Sequence, residues 1–174
     1  MPPSQQPDAG VLTVLERIAS GDTVLDVGAG TGRWADILRS LVARIDGVEV
    51  WKPNVIENRL ADKYSTLYVA NVLTLHDFRF WSVVILGDVL EHMSKEDGRG
   101  LVRALHSQVP KTFLVVPIDG PREQDGTVYG NPFETHLCDW SHEELVDLGF
   151  LELHRGTNPN GLVTIGTYVL EGKL

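Results

Sequence analysis

The sequence predicts an α/β fold in which strands alternate with helices around a mostly parallel sheet. Three observations carry that expectation. Short apolar, β-branched runs alternate with stretches of helical periodicity, and a glycine-rich turn links the first such run to a helix. The run Trp81–Leu86 is nearly unbroken in its hydrophobicity, as a strand covered on both faces requires.

The glycine turn is the most informative stretch. Thr23–Val27 reads as a buried strand, and Gly28, Gly30 and Gly32 follow it. A helix then opens, with Trp34, Ile37, Leu38, Leu41 and Val42 on one face. Strand, turn and helix make the first half of a nucleotide-binding βαβ unit, with Ala29 inside the turn. A dinucleotide fingerprint would place glycine or alanine where Arg33 stands, and no lysine-bearing phosphate loop is present. The pattern is instead Asp-x-Gly-x-Gly-x-Gly, with Asp26 in the strand end. It disfavours a pyrophosphate and suits a ligand with a positive amino group near Asp26.

The totals narrow the function classes. At 174 residues the chain fits a single domain over residues 9–174, with residues 1–8 as a loose leader. No apolar run approaches the roughly 20 residues needed to span a bilayer, so no membrane role is expected. The lone Cys138 excludes an internal disulfide and suits a reducing, cytoplasmic setting, where an inert half-buried thiol is expected. A net charge of −9 opposes the basic footprint of a nucleic-acid binder.

Taken in order, Val11, Leu12, Val14, Leu15, Ile18 and Ala19 mark an amphipathic helix beside the ligand site, ended at Ser20-Gly21. After the glycine unit, Arg44–Val50 reads as a second strand and Pro53 opens a helix. Glu49, 23 residues after Asp26, is placed to accept hydrogen bonds from both hydroxyls of a ribose. Ser65–Ala70 is a third strand leading into Asn71 and Val72; Trp81–Leu86 is the fourth, leading into Asp88-Val89-Leu90-Glu91-His92. A capping box at Ser94 starts a helix that Pro110 stops, and Thr112–Val116 is a fifth strand ended by Pro117. A second capping box at Ser141 opens a short helix, and Phe150–His154 and Leu162–Leu170 form a closing hairpin.

Asp26 to Gly32 resembles motif I of the class I S-adenosylmethionine-dependent methyltransferases, and Asp88 to His92 resembles a segment common in those acting on small molecules. The resemblance implies a Rossmann-like three-layer sandwich with seven strands in the order 3-2-1-4-5-7-6. It implies S-adenosylmethionine as cofactor and S-adenosylhomocysteine as product. Gly28, Ala29 and Gly30 would face the methionine part and Asp26 would hold its amino group. Glu49 and Val50 would serve the ribose, Asn71 and Val72 the adenine, although the family carries an acid where Asn71 stands. Asp88 and Val89 would border the methionine end.

The acceptor site is expected in Ile118–Trp140, an irregular stretch long enough to carry function. Gln124, Tyr129, Asn131, Glu134 and His136 are its candidate residues. Methyl transfer from a sulfonium needs positioning, and a base if the acceptor is a hydroxyl. His136 is the candidate base, with Asp88 and His92 as further catalytic candidates, and no metal is expected. The favoured reading is O-methylation of a small molecule or sugar. Methylation of an amine or protein side chain, a non-catalytic cofactor-binding subunit, and polyamine synthase or decarboxylase chemistry on the same fold stand as alternatives.

Overall fold

β1 (Thr23–Val27) pairs on its two edges with β2 (Arg44–Glu49) and β4 (Val83–Gly87), and its Val24, Leu25 and Val27 are buried because helices pack on both faces of the sheet. A computed structural model, which describes residues 8–120, 123–157 and 161–173, places these strands in one seven-stranded sheet. Its order is β3-β2-β1-β4-β5-β7-β6, as the resemblance implies. β3 (Leu67–Val69) and β5 (Lys111–Ile118) extend the parallel part. β7 (Thr164–Glu171) runs antiparallel to both β5 and β6 (Leu151–Thr157). Residues 158–160 of the closing turn, and residues 1–7 of the expected leader, lie outside the described residues.

Strand alternation sorts the apolar side chains into two layers. On one face, Leu25, Leu86 and Leu114 pack with Leu101, Val102 and Leu105 of α4 (Lys95–Gln108) and Leu145 of α5 (His142–Asp147). On the other, Val24, Ile85 and Phe113 pack with Val11 and Val14 of α1 (Asp8–Leu15) and Trp34 and Leu38 of α2 (Arg33–Leu38). Each such side chain contributes about 1.5–3 kcal/mol on burial. Within this core Asp46 is fully buried, its oxygens accepting from Arg44 Nε at 2.9 and 3.0 Å, and Trp81 Nε1 bonds Oδ2 at 3.0 Å. These partners offset the cost of burying a carboxylate within the sheet.

Several local expectations change. α1 ends at Leu15 and packs against β6; none of its residues lines the cavity described below, because Val11 and Val14 bury into the core around Ile165 and Val169. α2 ends at Leu38, leaving Leu41 half exposed. Pro117 does not end β5, which runs through it to Ile118. β4 pairs with β5 only as far as Val115, so the missing proline N–H costs no ladder bond on that side. The Ser141 capping box is complete, whereas at Ser94 the third helical residue is Asp97, whose short side chain meets the serine hydroxyl instead of the backbone. Gly98 has a packing reason: a Cβ there would lie 2.9 Å from Trp140. Among the described residues no helix is long and apolar enough to cross a membrane.

Candidate active site

The carboxyl ends of the parallel strands open onto a cleft with about 1290 Å³ of empty space including its mouth. Its position, where the strand order reverses between β1 and β4, is where open α/β sheets bind ligands.

At one end lies the glycine turn. Gly28, Gly30 and Gly32 take φ of +73°, +54° and +79°, a region costly for other residues. At Gly28 a Cβ would also stand 2.8 Å from Val89 Cγ2. The turn's N–H groups are engaged by the protein itself: those of Gly28 and Ala29 donate to the Val48 carbonyl at 2.9 and 3.0 Å, and that of Gly30 donates to Glu49 Oε2 at 2.8 Å. The glycines therefore serve the backbone's path and close ligand approach rather than offering these N–H groups. Glu49 is 4% exposed and its Oε1 accepts from the Trp51 N–H at 2.7 Å, so its carboxylate clamps the turn to the next helix, α3 (Lys52–Glu57).

Gly28, Ala29, Gly30, Glu49, Val50, Asn71, Val72, Asp88 and Val89 all line the cleft. Asp26 does not. It is 1% exposed and accepts from Tyr64 Oη at 2.5 Å, behind the turn. Burial, opposed by that hydrogen bond and reinforced by nearby Glu49, pushes its carboxyl up to about 7. Asn71 lines the cleft while its Oδ1 caps a 3-10 turn by accepting from the Leu73 N–H at 2.9 Å. Asp88 sits just past β4 with φ +52°, a strained value for a non-glycine residue.

At the other end a 3-10 turn, Leu90–His92, faces the stretch after β5. That stretch is folded by its own polar groups. Asp125 and Asn131 cap two 3-10 turns, Gln124 Nε2 donates to the Glu134 carbonyl at 2.7 Å, and the His136 N–H donates to the Gln124 carbonyl at 3.0 Å. Gln124, Asn131, Glu134 and His136 line the cleft with His92; the side chain of Tyr129 lies outside the described residues. The His92 and His136 rings meet edge to face, 4.9 Å between centroids. His92 Nδ1 lies 3.2 Å from the Thr135 carbonyl oxygen, which only accepts, so Nδ1 carries the proton. Burial, opposed by this bond and aided by His136, pushes His92 down to about 4, so it is neutral at pH 7. Burial and Glu49 raise the Glu134 carboxyl above its usual range.

One continuous cleft thus joins a carboxylate-clamped glycine turn to a pair of imidazoles. Residues 4–148 match a family model described as a methyltransferase domain. The chain belongs to that family. Class I methyltransferases use S-adenosylmethionine as cofactor, and the seven-stranded order found here is theirs. No curated protein matches the chain.

Solved structures share the methyltransferase fold at low identity. The Burkholderia thailandensis 1,6-didemethyltoxoflavin-N1-methyltransferase, with 1,6-didemethyltoxoflavin and S-adenosylhomocysteine bound, is 17% identical, with a TM-score of 0.72 over 98% of this chain and 78% of that one. The Synechocystis magnesium protoporphyrin IX methyltransferase with bound S-adenosylmethionine is 19% identical, with a TM-score of 0.63 over 92% and 76%. The N-terminal domain of EvdMO1 with S-adenosylhomocysteine is 17% identical, with a TM-score of 0.69 over 97% and 83%.

Sequence reasoning passed over several residues of this methyltransferase cleft, among them Glu91, Met93, Thr31 and Phe133. Glu91 had a signal: an acid flanked by Leu90 and His92 at a strand end, which the structure buries to 2% exposure. Phe133 lies in a segment readable only as a turn, yet it stacks at a tilt on Trp51 with 6.0 Å between centroids. Cys138 is half-buried, its thiol 3.2 Å from the Met93 carbonyl and pushed up by burial, which does not suit a nucleophile.

Proposed function

We propose that this methyltransferase moves the methyl group of S-adenosylmethionine to a hydroxyl of a small molecule or sugar. The observation that carries the reading is the single cleft lined at one end by Gly28, Gly30 and Glu49 and at the other by His92 and His136. Glu49 takes the ribose hydroxyls on the lone pairs its two clamping bonds leave available. Val50, Ala29 and Val72 pack against the nucleoside, and Asn71 donates its amide N–H to an adenine ring nitrogen, since its oxygen already caps a turn. Asp88, rather than the inward-turned Asp26, receives the methionine amino group; Val89 borders the chain.

In the transfer, an oxygen lone pair of the acceptor attacks the methyl carbon in line with the C–S bond. That bond breaks toward sulfur, leaving a neutral thioether, while the hydroxyl proton passes to His136. His92, protonated on Nδ1, packs against the His136 ring and limits its orientations. Gln124, Asn131 and Glu134 form the acceptor's surroundings. A small acceptor agrees with two proteins of similar structure, the methyltransferase bound to 1,6-didemethyltoxoflavin and the mitomycin 7-O-methyltransferase.

Calorimetric titration with S-adenosylmethionine and S-adenosylhomocysteine tests the first half. Both are expected to bind wild type, and failure of both overturns the cofactor reading. A screen of hydroxylated small molecules and sugars, read as S-adenosylhomocysteine release, tests the second half. Turnover confined to amines would replace oxygen by nitrogen as the methylated atom.

A further inference from the structure

The acceptor end brings His136 against Glu91 and His92, which precede it in the chain by a helix, a strand and a folded loop. We propose that Glu91, His92 and His136 bind a divalent transition-metal cation, which takes an oxygen of the acceptor as a further ligand. This departs from the metal-free site expected from the sequence. It rests on the reading above that this end of the cleft receives the acceptor.

Each of the three residues offers one ligand atom, and these atoms lie within 4.8 Å of one another. Ligands on one cation at about 2.0–2.1 Å in tetrahedral arrangement stand about 3.3 Å apart, so closing the set takes side-chain rotations of up to about 1.5 Å. All three residues also line the cleft, which keeps one side of the cation open to a ligand. An open position is what separates a catalytic metal site from a closed structural one.

The surroundings already orient this set. With its proton on Nδ1, held by the Thr135 carbonyl, His92 presents Nε2 as the nitrogen with a lone pair. A carbonyl behind a ligating imidazole is the usual way a metal site fixes its tautomer. The two contributing segments are tied together by backbone. The Leu137 and Cys138 N–H groups both donate to the Glu91 carbonyl, at 2.8 and 3.3 Å, which brings the residue next to His136 alongside Glu91. Cation binding would therefore close side chains onto a backbone already in place.

The set joins two borderline imidazole nitrogens to one hard carboxylate oxygen. They suit Zn²⁺, Mn²⁺, Fe²⁺ or Co²⁺ and not Mg²⁺, which favours an all-oxygen shell. A coordinated hydroxyl is acidified by the cation. Its O–H bond then breaks with the proton leaving to water, and the bound oxygen attacks the methyl carbon as the C–S bond breaks. In that state His136 serves as a ligand and its role as proton acceptor passes to solvent.

The test is calorimetric titration of the chelator-treated full chain with Zn²⁺, with Mg²⁺ as control. The expected result is one equivalent of Zn²⁺ per chain and no competition from Mg²⁺. His136→Ala and Glu91→Gln should each weaken Zn²⁺ by more than about 100-fold, beyond the roughly 10- to 100-fold lost when only an outer-shell partner of a ligand is removed. Thermal melts and S-adenosylmethionine titrations on the same samples check that each variant is folded. His136→Ala, in an irregular segment, decides the matter should the buried Glu91→Gln fail to fold. Wild-type protein that binds S-adenosylmethionine but no Zn²⁺ overturns the metal site, as does Zn²⁺ binding that survives His136→Ala. Zn²⁺ binding that depends on these residues, without any S-adenosylmethionine binding, upholds the metal site while removing the methyltransferase reading.

Discussion

The two ends of the cleft are built by different means. The cofactor end is made of strand ends, and sheet register sets where its residues stand: Val27 faces Val48, the Glu49 carboxylate reaches back to Gly30, and Asn71 follows β3. The acceptor end is made of an irregular segment whose shape depends on particular side chains, such as Asp125, Asn131 and Gln124, bonding nearby backbone. Register is shared by every chain with this sheet, so the first end follows from a motif. The second is written residue by residue, so it can diverge while the fold persists.

The sharpest way to break this contrast is to cut each end separately. His136→Ala should lower kcat by about 100- to 10,000-fold, the usual contribution of a positioned proton-transfer group, and leave the Kd for S-adenosylmethionine unchanged. Stopped activity assays alongside calorimetry separate the two quantities; a change confined to Kd would mean that His136 belongs to the cofactor end. Glu49→Ala should do the reverse. Losing two hydrogen bonds to a charged acceptor, at about 1.5–3 kcal/mol each, weakens S-adenosylmethionine binding at least about 100-fold.

A third experiment probes the layer beneath the glycine turn. Burial raises the Asp26 carboxyl to about 7, well above its value in an unfolded chain. The folded state therefore favours the protonated form. The stability this gives is fully present below the unfolded pKa near 4 and is lost as pH rises through about 7. Thermal melts between pH 4 and 8 should show wild type falling in Tm across that window relative to Asp26→Asn, whose profile should be flatter by at least about 2 °C. Parallel profiles would show that Asp26 is ionised throughout. The smallest effects distinguish two glycines on α4. Gly100→Ala, with open space around the added methyl, should gain about 0.5–1 kcal/mol, whereas Gly98→Ala should lose stability against Trp140; urea denaturation reads both.

What the sequence disclosed follows the same division. Continuous apolar, β-branched runs and helical spacing marked all seven strands and the major helices, because burial on both sheet faces leaves few alternatives for runs such as Trp81–Leu86. Ends were less legible: Pro117 reads as a strand breaker until β4 is seen to stop short of it. The residues Gly28, Gly30 and Glu49 could be placed in the cleft because their spacing reflects one turn and one register shift. Asp26 was misplaced relative to the cleft, since nothing in the local sequence announces Tyr64, 38 residues away, as its partner. The two histidines, His92 and His136, could be named as candidates of one site, but Glu91 beside them could not, because α4, β5 and a folded loop separate it from His136.

The Glu49 clamp has a kinetic meaning as well. Its two oxygens hold the Gly30 and Trp51 amides before any ligand arrives, at 2.8 and 2.7 Å. The ordering of this turn therefore falls on folding and not on association. An incoming nucleoside meets a rigid receptor, so its capture should be a single bimolecular phase without a slow isomerisation behind it. The Gly30 amide, in turn, should already exchange slowly with solvent in the ligand-free protein.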